Sequence, residues 1–250
     1  MSVDAGPFQL GDPRGGQAPA VLCLHGLTGT PYEVRPPAEA LAQAGFYCEG
    51  PLLPGHGVSV RELYRLSQDA WVAAVIAAYD ALAERHERVY ALGLSLGGLL
   101  ALSLAEERRV AGLVVLAAPL ELSPFVRRAV PWLHRIVRSL PKTPAIRDPE
   151  ARLQHPGYDR MPLGAVNQLL QLARRVRARL PEVTAPAQLI FSRLDPTVPA
   201  ANADLLRREL GPGERELVWL ERSGHVLPVD FEQALVAEKV VSFLRRLEKA

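Results

Sequence analysis

The chain has 250 residues, 48% hydrophobic and 22% charged, which is ordinary for one globular domain with a substantial core. Its 29 basic and 27 acidic residues leave a formal charge of +2, and no block of Lys or Arg is interleaved with aromatics, so nucleic-acid binding is not expected. No apolar run reaches the roughly 20 residues that cross a bilayer, and residues 1–16 lack the basic start and apolar stretch of a secretory signal. A cytoplasmic protein without stable membrane insertion is expected.

Residues 18–24 form a β-rich apolar run ending at His25-Gly26, the pattern of a parallel strand buried on both faces. Cys23 within it and Cys48 further on read as inert core thiols. A helix is predicted from Thr30-Pro31 through the helix formers of 38–44, with Gly45 as its stop. Residues 46–49 read as a second strand, and 51–57 as a loop by their density of Pro and Gly. Across 69–84, Trp71, Val72, Val75, Ile76, Tyr79 and Leu82 recur at helical spacing. Then come an apolar strand over 88–92, a helix over 96–107 and a strand over 110–118.

This alternation of strand and helix predicts a parallel sheet. It breaks between residues 120 and 181, where seven prolines surround two helix-like segments, 132–140 and 163–180. It resumes with a strand at 187–192, a helix at 201–210, a strand at 216–220, a loop, and a helix at 229–247. Residues 1–119 and 182–250 are therefore expected to build one α/β core, a mostly parallel central sheet with helices on both faces. Residues 120–181 are expected to be a small cap inserted over the strand ends.

The pentapeptide Gly93-Leu94-Ser95-Leu96-Gly97 falls where a strand gives way to a helix. A chain that reverses so sharply strains the residue at the corner, and small neighbours two positions away relieve the crowding. Ser95 is thereby the candidate nucleophile. A serine hydroxyl needs a neutral imidazole to take its proton, and His225 lies in Ser223-Gly224-His225-Val226, just after the last predicted strand. The imidazole needs an anion to fix its tautomer. Asp195, at the end of the strand over 187–192, is the candidate; Asp204 lies well inside the next helix, and Asp230 reads as a helix cap.

An oxyanion needs preorganised donors. The backbone N–H of Leu96, directly after the nucleophile, and that of Leu27, in the loop His25-Gly26-Leu27-Thr28-Gly29, are the candidates. In the cap segment, Trp132, Leu133, Ile136, Val137 and Leu140 form a helical stripe. That stripe is expected either to pack on the neighbouring cap helix or, through Trp132 and Ile136, to wall a substrate pocket. No His-x-His or His-Glu-x-x-His spacing suggests a metal site.

Taken together, His25-Gly26-Leu27-Thr28-Gly29, Pro54-Gly55-His56-Gly57, Gly93-Leu94-Ser95-Leu96-Gly97-Gly98, Asp195 with Val198-Pro199, and Ser223-Gly224-His225-Val226 resemble the compact bacterial carboxylesterases and monoacylglycerol lipases of the α/β-hydrolase superfamily. The resemblance runs along most of the chain. It implies the α/β-hydrolase fold, a triad of Ser95, Asp195 and His225, oxyanion donors at Leu27 and Leu96, a small cap over an acyl pocket, and no cofactor. The implied partner is a small-molecule ester of short to medium acyl chain, or a monoacylglycerol, cleaved through an acyl-enzyme. An acyltransferase or thioesterase with the same triad, and a non-catalytic binding protein of this fold, are the alternatives.

Overall fold

The computed structural model describes residues 3–13 and 16–249. Residues 1–2, 14–15 and 250, which the expected core boundaries include, lie outside the described residues. In chain order the elements are β1 (Phe8–Leu10), β2 (Ala20–Leu24), α1 (Arg35–Gln43), β3 (Tyr47–Gly50), α2 (Val60–Arg65), α3 (Gln68–Ala83), β4 (Val89–Leu94), α4 (Leu96–Glu107) and β5 (Leu113–Leu116). They continue with α5 (Pro124–Leu133), β6 (Ser139–Pro141), α6 (Pro149–Gln154), β7 (Arg160–Pro162), α7 (Leu163–Arg179), β8 (Ala187–Ser192), α8 (Ala201–Glu209), β9 (Arg215–Leu220) and α9 (Gln233–Glu248).

One seven-stranded sheet runs in the order β1-β3-β2-β4-β5-β8-β9. Only β1 is antiparallel to its neighbour. The strand β2 shows why an unbroken apolar run suits such a sheet. Ala20, Leu22 and Leu24 enter the core on one face, with Trp71 of α3, Leu99 of α4 and Leu206 of α8. Val21 and Cys23 enter the other, with Leu41 of α1 and Phe243 of α9. Successive side chains point to opposite faces, and both faces are covered. Cys23 and Cys48 are buried and unpaired by any disulfide, and contact with Cys48 together with burial pushes the Cys23 thiol up.

Three local signals lay in the sequence unread. Ser59 accepts a hydrogen bond from the Glu62 N–H and caps α2, the serine-to-glutamate spacing of a capping box. Ser123 caps α5 with Pro124 at the first helical position, an arrangement proline favours. Phe8–Leu10 pairs with β3 as a short edge strand, too brief for periodicity to reveal.

The expected helix over 132–140 is corrected. The helix α5 runs from 124 to 133, a turn follows, and Ser139–Pro141 pairs antiparallel with Arg160–Pro162. The apolar spacing matched a helix, but pairing with a segment some twenty residues away extended the chain instead. The final helix is also shorter than expected. A 3-10 turn at Leu227–Val229 precedes an extended Asp230, and α9 starts at Gln233 behind Glu232. Asp230 is thus not the cap of that helix.

Between β5 and β8 the strand-helix alternation is interrupted by α5, β6, α6, β7 and α7. Val130, Leu163, Val166 and Leu170 form a small separate cluster there. Further along α7, Leu169, Leu172, Ala173 and Val176 join the main core.

Candidate active site

Ser95 sits between β4 and α4 with φ 54° and ψ −111°, a left-handed conformation that non-glycine residues adopt only where the surroundings enforce it. The two glycines make it possible. A Cβ at Gly93 would run into the Gly97 carbonyl oxygen, and one at Gly97 into the carbonyl oxygens of Leu24 and His25. The Ser95 N–H donates to the Leu116 carbonyl at 2.8 Å, anchoring the corner to β5.

The three residues predicted to act together are hydrogen-bonded in line. His225 Nε2 lies 3.0 Å from Ser95 Oγ, and His225 Nδ1 lies 2.7 Å from Asp195 Oδ2. Since a carboxylate can only accept, Nδ1 carries the proton and Nε2 is left to accept from the serine hydroxyl. The other oxygen of Asp195 accepts from the N–H groups of Thr197 and Val198, at 2.7 and 2.9 Å. Burial works to raise the Asp195 pKa, but His225 and these two N–H groups outweigh it and hold the carboxyl below its ordinary range.

The loop carrying His225 is fixed by contacts that sequence reasoning missed. Its N–H donates to the Ala145 carbonyl at 2.7 Å. Asp230, fully buried, accepts from the N–H groups of Gly224, Arg147 and Asp148 at 2.7 to 2.9 Å. One carboxylate therefore ties the histidine loop to the segment before α6. Glu232 accepts from the N–H groups of Glu221, Arg222 and Ser223 in the same loop.

The loop after β2 is clamped just as closely. Leu27 precedes Thr28, which has φ 66°, and Leu96 is the first residue of α4, where an N–H has no partner within the helix. Glu33 accepts from the Gly26 N–H at 2.8 Å and from His155 Nε2 at 2.8 Å. The Gly157 N–H donates to His155 Nδ1, so Nε2 is the protonated nitrogen. Lys142 Nζ donates to Thr28 Oγ1, and the Tyr158 N–H to the Thr28 carbonyl at 2.9 Å. Burial would raise Glu33, yet the hydrogen bond from His155 and the proximity of His155, His25 and Lys142 hold it down at about 2.

Behind this loop, His25 Nδ1 donates to the Gly26 carbonyl and Nε2 accepts from the Leu53 N–H at 3.1 Å. His56 packs edge-on against it, ring centroids 4.8 Å apart. Burial first, and His25 second, push His56 from 6.5 down to about 3. A histidine that stays neutral when folded binds fewer protons than in the unfolded chain. Its contribution is therefore complete above pH 6.5 and is lost as pH falls toward 3. Below 4.5, Glu33 adds a loss of the same sign. The melting temperature is expected to drop as pH falls from 7 to 4.5, with His56 alone accounting for about 3 kcal/mol near the lower end. In His56→Gln the decline should be shallower; equal slopes in both proteins would remove His56 as its source.

A cavity of about 390 Å³ opens beside Ser95 and His225. Its apolar wall includes Leu27, Leu122, Val126, Met161, Val166 and Leu169, and its polar edge includes Glu33 and Lys142. Trp132 and Ile136 are not part of it. They are 70% and 85% exposed, because α5 turns Val126, Val130 and Leu133 toward the cluster with Leu163, Val166 and Leu170 of α7, which Val137 joins from the turn beyond, so this part of the stripe packs on the neighbouring helix while Trp132 and Ile136 face away.

The chain belongs to the alpha/beta hydrolase family, whose sequence model matches residues 21–238. It is 32% identical over 228 residues to the thermostable monoacylglycerol lipase of Bacillus sp. (strain H-257), covering 90% of each chain. To the carboxylesterase of Bacillus subtilis (strain 168) it is 29% identical over 233 residues, covering 92% of this chain and 93% of that one. A solved structure reported for LipS and LipT, two metagenome-derived lipolytic enzymes, superposes with a TM-score of 0.89 at 32% identity, covering 97% and 98% of the two chains. The chain is accordingly a hydrolase, with a sheet and surrounding helices of that fold. No helix among the described residues is long and apolar enough to cross a membrane.

Proposed function

We propose that this alpha/beta hydrolase is a serine esterase in which Ser95 is the nucleophile, His225 the base and Asp195 the residue that orients it. The observation that carries this reading is the line of hydrogen bonds from Asp195 Oδ2 through His225 to Ser95 Oγ, ending on a residue held at positive φ beside an apolar cavity. In this reading Ser95 Oγ attacks the ester carbonyl carbon as His225 Nε2 takes its proton. The oxyanion is received by the N–H groups of Leu27 and Leu96, each worth roughly 3 to 4 kcal/mol of barrier. His225 then protonates the departing alcohol oxygen. Water repeats the sequence on the acyl-enzyme, releasing the acid and restoring the serine.

Residues 120–181 are read as the cap, because Leu122, Val126, Lys142, Met161, Val166 and Leu169 all come from it to the cavity. The substrate class is esters of short to medium acyl chain, including monoacylglycerols, supported by the apolar wall and by the names of the relatives above. Two buried free cysteines fit a reducing cytoplasmic setting.

The test is a p-nitrophenyl ester chain-length series beside monoacylglycerols, run on the native protein and on Val126→Phe. Filling that wall should shift the optimum to shorter acyl chains, at about 0.8 kcal/mol or fourfold in kcat/KM per methylene excluded, with acetate hydrolysis nearly unchanged. A uniform loss at every length, or no activity on either ester class in the native protein, would overturn the pocket and the substrate reading respectively.

A further inference from the structure

One buried carboxylate lies beside the nucleophile without belonging to the triad. Glu33, in the turn Pro31–Val34, is 3% exposed and shares the lining of the Ser95 cavity. A Cβ added at Gly26 would stand 3.0 Å from Glu33 Oε2 and 3.6 Å from Ser95 Cβ, so little more than a glycine separates the two side chains. Its charge alone is unfavourable there, since a carboxylate repels a developing oxyanion and burial adds a desolvation cost. What it contributes is geometry.

The Leu27 N–H belongs to the peptide unit that joins Gly26 to Leu27, and that turn is held on both sides. The Gly26 carbonyl accepts from His25 Nδ1 at 2.9 Å and from the Gly29 N–H at 3.2 Å. The Gly26 N–H donates to Glu33 Oε2 at 2.8 Å. Beyond Leu27, the Thr28 hydroxyl donates to the Leu27 carbonyl and accepts from Lys142 Nζ. Among the described residues the Leu27 N–H itself has no acceptor. Thr28, β-branched and at φ 66°, holds a conformation that persists only where its surroundings enforce it.

The donors around residue 33 call for a carboxylate. Oε2 faces the Gly26 N–H and Oε1 faces His155 Nε2, each at 2.8 Å. The Gly157 N–H donates to His155 Nδ1 at 3.2 Å, which keeps the imidazole proton on Nε2. A side-chain amide has one oxygen and would set its own N–H against one of these two donors. The glycines nearby leave the space. A Cβ at Gly29 would run into the Glu33 carboxyl group, and one at Gly157 would crowd the Thr28 carbonyl oxygen, to which the Tyr158 N–H donates. His155, Gly157 and Tyr158 all lie between α6 and β7, so a segment far along the chain holds the loop after β2.

We propose that Glu33 and His155 are positioning residues of the oxyanion hole: the Glu33 carboxylate, fixed by the His155 imidazole, pins the Gly26 N–H and thereby aims the Leu27 N–H at the oxyanion that forms when Ser95 attacks. This rests on Ser95 as the nucleophile and Leu27 as an oxyanion donor. Both side chains work through a backbone donor whose alignment matters more in the transition state than in the bound substrate. Their loss therefore falls on kcat and not on KM.

The native protein is compared with Glu33→Gln, His155→Leu and His155→Gln in p-nitrophenyl ester hydrolysis, with rates expressed per site titrated to completion by a fluorophosphonate. Glu33→Gln and His155→Leu should each lower kcat about 30-fold with KM nearly unchanged, short of the roughly 10²- to 10³-fold lost when an oxyanion donor is removed outright. His155→Gln, whose amide N–H can still donate to Glu33, should keep most of the activity. A trifluoromethyl ketone, which forms an oxyanion when the serine adds to it, should lose affinity in proportion to kcat/KM across the three variants. Native kcat in Glu33→Gln or in His155→Leu, a loss carried by KM, or unchanged trifluoromethyl ketone affinity beside a lowered melting temperature overturns the proposal. Should Glu33→Gln not fold, the contrast between His155→Leu and His155→Gln decides it. A native protein that neither hydrolyses esters nor takes the fluorophosphonate label overturns instead the esterase reading beneath it.

Discussion

Ser95→Ala is expected to abolish turnover, with a fall of about 10⁶-fold in kcat by the precedent of nucleophile removal in serine hydrolases, and to leave the melting temperature almost unchanged. The substitution removes one hydroxyl. It leaves the crowded glycines of the elbow and the hydrogen bond from the residue 95 N–H to the Leu116 carbonyl as they are. Alanine at φ 54° is strained much as serine is, so the corner carries no new conformational cost. The measurement is stoichiometric labelling by a fluorophosphonate, followed by localisation of the label. The native protein should be labelled once, on Ser95, and the variant not at all. Labelling that persists unchanged in Ser95→Ala would show that another group is the nucleophile.

Asp195→Asn should lower kcat by about 10⁴-fold with little change in KM, because it alters the imidazole tautomer rather than any substrate contact. An asparagine oxygen can still accept from Thr197 and Val198, which preserves the turn. Its amide then offers a donor to His225 Nδ1, where the carboxylate accepted. The ring responds by carrying its proton on Nε2, facing Ser95, and can no longer take the serine proton. Asp204→Asn, on the exposed side of α8, is the control and should be nearly silent. Asp230→Asn belongs to a different category: it weakens a buried acceptor that holds three loop N–H groups, so it should lower the melting temperature. Equal damage to kcat from Asp204→Asn in a folded protein would remove Asp195 from its proposed role.

Local chemistry made much of this molecule readable in advance. The glycines at 93 and 97 are required by the close approach of backbone oxygens within a few residues or on the adjacent strand, and that need is visible as a motif. The β2 run and the strand at 187–192 are continuous because both faces are covered, so the sequence alone announced a parallel sheet. Ser95, Asp195 and His225 follow the ends of β4, β8 and β9, and the carboxyl ends of parallel strands lie at one edge of such a sheet, so positions far apart in the chain could be expected to converge there.

What the sequence could not decide were the pairings between segments far apart in the chain. Glu33 meets His155 across 122 residues, and Lys142 meets Thr28 across 114. Neither choice leaves a trace in local spacing, since the same carboxylate could have faced water. Asp230 looked like a helix cap because capping is a local habit of aspartate, whereas its partners, Arg147 and Asp148, reach it only when the segment before α6 folds back over the sheet. The stripe around Trp132 and Ile136 shows the same limit. Periodicity reports that apolar residues share a side, but what covers that side depends on neighbouring elements, and here α7 covers Val126, Val130, Leu133 and Val137 and leaves Trp132 and Ile136 facing outward. Hydrophobic pattern and steric necessity act over a few residues and are fixed by the sequence itself; the partners of buried charges, and the covering of an apolar face, are settled only when the whole chain packs.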